Sequence, residues 1–217
     1  MTDDRKGGLA LIAGTLGSIV TMSLHPTGHD LMSPGQAEVM ARLTVFVHAL
    51  ALASLPILFL GVLALARRLD GPGRQGLAGL VVYGFGLTAV MSAATASGLV
   101  APGVVRAMID AVPADRPQLQ ALFQYTGRLN QGYAQVFAIA SSAAILLWSA
   151  ALVRRAGFAR ALGFYGLLLG AALVLAVGSG HLHLGVHGFG ILVFTQALWF
   201  VGAGAWLAGH DTAATPA

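Results

Sequence analysis

Residues Ala161 to Gly180 read ALGFYGLLLGAALVLAVGSG, twenty positions without one charged side chain. At 1.5 Å of rise per residue, a helix of that length spans about 30 Å, the thickness of a bilayer's hydrocarbon core. The run has company. Apolar stretches of comparable length lie near 8–24, 42–66, 77–100, 130–153 and 188–208, which makes six with 161–180. The competing reading, six buried helices of a soluble domain, needs a polar outer surface. Only 9% of the 217 residues are charged and 57% are hydrophobic, with a mean hydropathy of +0.79. Soluble domains carry roughly 25% charged residues. The sequence therefore predicts an all-α polytopic membrane protein, a six-transmembrane-helix bundle forming one domain.

The 29 glycines suit close helix packing in lipid. Cysteine is absent, so any metal would be held by His, Asp, Glu or carbonyl groups. The formal net charge is +4. A nucleic-acid partner is not expected, because the basic residues punctuate apolar runs instead of clustering among aromatics. They read as topology signals. Arg5, Lys6, Arg67, Arg68, Arg74, Arg154, Arg155 and Arg160 share one side of a six-span layout; Arg42, Arg106, Arg116 and Arg128 share the other. The excess of eight over four places both termini in the cytoplasm, in a bacterial inner membrane. The loops at 25–41, 101–129 and 181–187 then face outward. The first apolar run ends in Thr21-Met22-Ser23-Leu24-His25-Pro26 and lacks a small-residue cleavage pattern, so it is read as a helix and not a leader.

Local signals set the boundaries. Ser33, Pro34 and Gln36 form a helix start of the capping-box kind. Glu38 and Arg42 are four apart and can pair. Pro56 is expected to kink the second helix, and Asp70-Gly71-Pro72-Gly73 reads as a turn. Val104 to Val112 has the pattern of a short amphipathic helix lying at the interface. Asp115-Arg116-Pro117 begins another helix, which runs into the fourth span.

Histidine carries the main functional signal. His25 and His29 sit in one outer loop, His25-Pro26-Thr27-Gly28-His29-Asp30; His181, His183 and His187 sit in another. His48 falls roughly 8 Å below the outer interface at 1.5 Å per residue. These six are expected to converge on a divalent metal, zinc or copper before iron, because imidazole suits those ions and no thiolate competes. His210 lies at the opposite end and receives no role. Asp30 and Glu38, the sole glutamate, are the carboxylates placed to act as general base. The competing readings are a pH-sensing histidine cluster and solvated interfacial histidines.

Gln124, Arg128, Gln131 and Gln135 recur at helical spacing and form a polar stripe flanked by Asn130 and Tyr133. Lipid would reject such a stripe. It is expected to line a pocket for a headgroup or to pack against other helices, with Thr195 and Gln196 as partners. Arg42 and Arg128 are placed to hold an anionic headgroup. Gly163, Gly166 and Gly170 predict tight packing. Trp148, Trp199 and Trp206 read as anchors or packing residues.

No phosphate loop, nucleophile elbow, zinc-protease helix or dinucleotide fingerprint occurs. The functional expectation is a metal-dependent site at the outer membrane boundary, an enzyme acting on membrane lipid or another lipid-like, amphipathic small molecule. The alternatives are a metal or proton carrier, a haem-binding electron-transfer protein with His48 as one axial ligand, and a non-catalytic membrane subunit.

Overall fold

The computed structural model describes residues 2–26, 37–71 and 73–209. They fold as α1 (Asp3–Ser23), α2 (Ala37–Leu69), α3 (Gln75–Thr95), a π-helical turn (Ala96–Val100), α4 (Ala101–Asp110), α5 (Arg116–Leu152), α6 (Phe158–Gly178) and α7 (Val186–Gly209). Among the described residues, six helical spans are long and apolar enough to cross a membrane, with α3, the π turn and α4 counting as one.

Charge and capping chemistry explain where the helices begin. α1 starts at Asp3, ahead of its apolar run, because the Thr2 hydroxyl accepts from the Arg5 backbone N–H at 3.3 Å. Asp3 and Asp4 then sit in the first turn, at the positive end of the helix dipole. α5 starts at Arg116, as the Asp115-Arg116-Pro117 signal predicts, and runs unbroken for 37 residues. α2 continues through Pro56 without loss of helical structure. The proposed helix start at Ser33, Pro34 and Gln36 lies outside the described residues.

One boundary differs from expectation. The 104–112 segment is not an isolated interfacial helix. It continues from α3 through the π turn and packs Ala101, Pro102, Val104 and Val105 inward against α2 and α5. Its apolar stripe finds protein to bury against, which satisfies the same amphipathic pattern that an interface would.

The helices form a closed ring in the order α1, α2, α3, α5, α6, α7, with α7 returning to α1. Both ends of the described chain lie at one end of the bundle, here the arginine end; His25 lies at the other, the histidine end. The arginine end is densely filled. Trp148 and Trp199 are fully buried and stack with centroids 5.9 Å apart. Tyr83 and Phe200 pack beside them, and the Trp148 indole N–H donates to the Gly76 carbonyl at 3.1 Å. The tryptophans are therefore packing residues. Arg68 reaches Asp4 at 3.7 Å and ties α2 to the start of α1.

Glycines bring the backbones together. A Cβ at Gly14 would lie 2.6 Å from the Leu58 backbone nitrogen, and Gly61 packs directly on Leu11. A Cβ at Gly204 would lie 2.8 Å from the Gly8 carbonyl oxygen, which fixes α1 on α7. Overpacking such contacts costs about 1–3 kcal/mol. Gly14→Val and Gly61→Val should each lower the thermal midpoint of the detergent-solubilised protein accordingly. Gly84→Ala and Gly132→Ala point into open space and should not; a better helix former there contributes up to about 1 kcal/mol. Equal midpoints for Gly14→Val and Gly84→Ala would contradict the packing assignment.

Candidate functional site at the histidine end

His25 follows α1 directly, held by its backbone N–H to the Met22 carbonyl at 3.3 Å. His48 lies on α2, facing it. The two rings meet edge to face with centroids 4.8 Å apart, and their Nε2 atoms are 3.2 Å apart. The other ring nitrogens fix the tautomers. His25 Nδ1 lies 2.8 Å from the Pro26 carbonyl oxygen, and His48 Nδ1 lies 2.8 Å from that of Thr44. A carbonyl only accepts, so each Nδ1 carries the proton and donates. Each Nε2 of a neutral ring is then a lone pair, and the two lone pairs face each other. Burial holds His25 below the ordinary imidazole value, the Pro26 bond offsetting part of that, which keeps the ring neutral at pH 7.

The π turn completes the group. Ser97 places its hydroxyl oxygen 2.9 Å from His48 Nε2 and 2.9 Å from the Ala93 carbonyl oxygen. Gly98 lies directly on the His48 side chain, where a Cβ would overlap the imidazole's first atoms. An extra residue in one helical turn re-aims the side chains beyond it, and such turns gather at functional sites. Sequence reasoning misses Ser97 and Gly98. Their signal, a Ser-Gly pair inside an apolar run, is faint.

Below this group lies a partly open cavity of about 190 Å³ within the ring. His25, His48 and Ser97 line it on one side, and Asn130 and Gln131 line it from α5. Its deeper wall is mainly apolar, with Leu55, Leu58, Val90, Phe137 and Val193 beside Ser18, Ser54 and Tyr83. Gln131 donates to the Leu184 carbonyl at 2.9 Å, which pins the turn between α6 and α7 over the mouth.

The turn itself reaches the cavity through Leu184, Gly185 and Val186, but His181, His183 and His187 are exposed. The segment alternates like a strand. Leu182 and Leu184 take the inner positions and pack on the core, and His181 and His183 take the outer ones. His181 is engaged locally, its Nδ1 2.8 Å from the Ser179 hydroxyl. Among the described residues, no three His, Asp or Glu side chains converge. His29, Asp30 and His210 lie outside the described residues.

The other predicted residues divide. Glu38 is exposed, with one oxygen on Arg42 at 2.8 Å and the other on Arg106 at 3.0 Å. It bridges α2 to α4, and both carboxylate oxygens are engaged by cations. Gln124, Arg128 and Gln135 are exposed, so of the polar stripe Gln131, with the flanking Asn130, reaches the cavity. Gln196 does meet α5, but nearly two turns beyond the stripe, donating at 3.0 Å to both the Ser141 and Ser142 hydroxyls. The Thr195 carbonyl accepts from the Tyr165 hydroxyl at 3.0 Å.

No protein-family model matches this chain, and neither a curated protein nor a solved structure matches it.

The contact between Gly98 and His48 gives a direct check. Gly98→Val should push the imidazole aside, raise modification of His25 and His48 by diethyl pyrocarbonate in a peptide map, and cost about 1–3 kcal/mol of stability. Gly103→Ala, where space is open, should change neither.

Proposed function

We propose that this chain is a multi-pass protein of the bacterial cytoplasmic membrane that admits an amphipathic, lipid-like molecule into the cavity at its histidine end. His25, His48, Ser97, Asn130 and Gln131 meet the polar end of that molecule. The arginine-rich loops lie in the cytoplasm with both termini, and the histidine end faces out. The observation that carries this reading is the cavity's polarity gradient. Imidazole and amide groups crowd the mouth, and the depth is mainly Leu, Val and Phe, where the Ser18 and Ser54 hydroxyls donate to carbonyls of their own helices. Small-molecule sites have this character, apolar walls with a few placed polar groups. A cavity of about 150 Å³ accommodates benzene, so one of about 190 Å³ accepts a ring or a short stretch of chain.

A path across the whole membrane is less well supported. The imidazole and amide groups of the site gather at one end, and the aromatic cluster around Trp148 and Trp199 fills the other. A haem between His25 and His48 would require the two nitrogens to part and admit a macrocycle. A metal-dependent enzyme at the same mouth is the second reading, favoured by the two imidazoles whose Nε2 atoms face each other.

A diazirine-bearing fatty acid tests the binding reading in detergent or nanodiscs. Crosslinks should map to cavity residues such as Leu58 and Phe137. Ala51→Trp, which fills the cavity, should reduce them at least about tenfold by the affinity a blocked pocket forfeits. Leu168→Trp, on the outer face, should not. Labelling confined to outward positions such as Leu168 and Phe85, and unchanged by Ala51→Trp in monodisperse protein, would refute it.

A further inference from the structure

We infer that His25, His48 and Ser97 form a binding site for one copper ion, in the copper(I) state, at the mouth of the cavity. The inference shares that mouth with the proposed function but does not depend on an amphipathic ligand.

Its basis is hydrogen-bond accounting. Three polar atoms converge: His25 Nε2, His48 Nε2 at 3.2 Å from it, and Ser97 Oγ at 2.9 Å from His48 Nε2. Both imidazoles have their N–H committed elsewhere. His25 Nδ1–H donates to the Pro26 carbonyl and His48 Nδ1–H to that of Thr44, and the single Ser97 proton is within reach of both the Ala93 carbonyl and His48 Nε2. What remains is two imidazole lone pairs 3.2 Å apart, with the Ser97 hydroxyl beside that of His48. Neutral lone pairs at this spacing repel. A cation between them turns the arrangement into an attractive one.

The distances fit an ion. With metal–nitrogen bonds of about 2.0–2.1 Å, two nitrogens at this separation subtend roughly 100–106° at the metal, near the tetrahedral value. Ser97 Oγ, 2.9 Å from His48 Nε2, stands beside that position, and the cavity opens next to it. The outer contacts also match. Metal-bound imidazoles commonly donate their second N–H to a carbonyl, which fixes ring orientation and raises basicity. Both histidines do so here.

The donor set selects the ion. No Asp or Glu among the described residues joins the histidines. Two neutral imidazoles and a hydroxyl leave the ion's charge uncompensated in an apolar surround, and a monovalent ion costs much less there than a divalent one. Met22, one turn before His25, also lines the cavity, and thioethers favour copper(I). Together these points favour copper(I) over zinc.

The test is competition of purified wild-type protein, anaerobic and without added lipid, against a colorimetric copper(I) chelator, with zinc(II) titrated in parallel. The expected result is one copper(I) per chain, with zinc binding weaker. His25→Gln and His48→Gln should each weaken copper binding by at least roughly 10–100-fold, the scale set by even outer-shell losses. His183→Ala should leave it unchanged, and X-ray absorption of the copper-loaded protein should count two imidazoles. Ala51→Trp should retain copper, which separates this result from the fate of the amphipathic-ligand reading. The inference is overturned by absence of copper binding in folded wild type, by tighter binding of zinc, or by binding that survives His48→Gln and is lost in His183→Ala.

Discussion

The close approach of α1 and α2 governs both the bundle and its site. In lipid, helices gain little from hiding apolar surface from one another, because the surrounding chains are equally apolar. Association then depends on contact area, and contact area depends on how near the backbones come. Gly14 on Leu58, Gly17 on Ser54 and Gly61 on Leu11 remove the side chains that would hold α1 and α2 apart. His25 and His48 lie at the histidine end of this same seam. Their 3.2 Å separation is a continuation of the glycine packing below them.

Polar side chains along the helices obey a second constraint. With no water available, hydroxyls spend their protons on carbonyls one turn back. Thr15 donates to Leu11 at 2.7 Å, Thr21 to Gly17 at 2.7 Å, Thr44 to Met40 at 2.8 Å and Thr126 to Leu122 at 2.9 Å. Gln196 is a notable departure, since its amide crosses from α7 to the two serines of α5. The rule that quietens isolated hydroxyls has a different effect at the histidine end. There the imidazole N–H groups also go to carbonyls, which leaves the two Nε2 acceptors facing each other.

The fold is largely legible in the sequence because spans and loops announce themselves by charge. Asp4, Arg68 and Arg155 mark one end, and the apolar runs between need no partner to be recognised. The site is legible only in part. His25 and His48 stand out by residue type and depth, but the shape of the 181–187 turn does not. Whether its imidazoles or its leucines turn inward depends on the apolar surface beneath, and Leu184 wins that competition with 4% of its surface left exposed. The stripe on α5 fails for a related reason. Its spacing defines a face, but the helix is so long that the portion carrying Gln124 and Arg128 stands exposed, outside the cavity wall. Ser97 and Gly98 are invisible because a π turn is a response to tertiary packing and leaves no periodic trace.

The bundle is asymmetric along its axis, tightly packed at one end and hollow toward the other. At the arginine end, bulky aromatics fill the ring: Trp148, Trp199 and Phe200 leave little free volume, and Trp148 keeps its N–H satisfied by the Gly76 carbonyl. At the histidine end, Ala51, Ala93, Ala94 and Ala134 line the wall where such rings could have stood. Small side chains there leave a void, and voids cost stability because the atoms around them lose contacts. A sequence that packs one end tightly and leaves the other hollow, directly beneath two opposed imidazoles, carries that cost where a ligand can recover it.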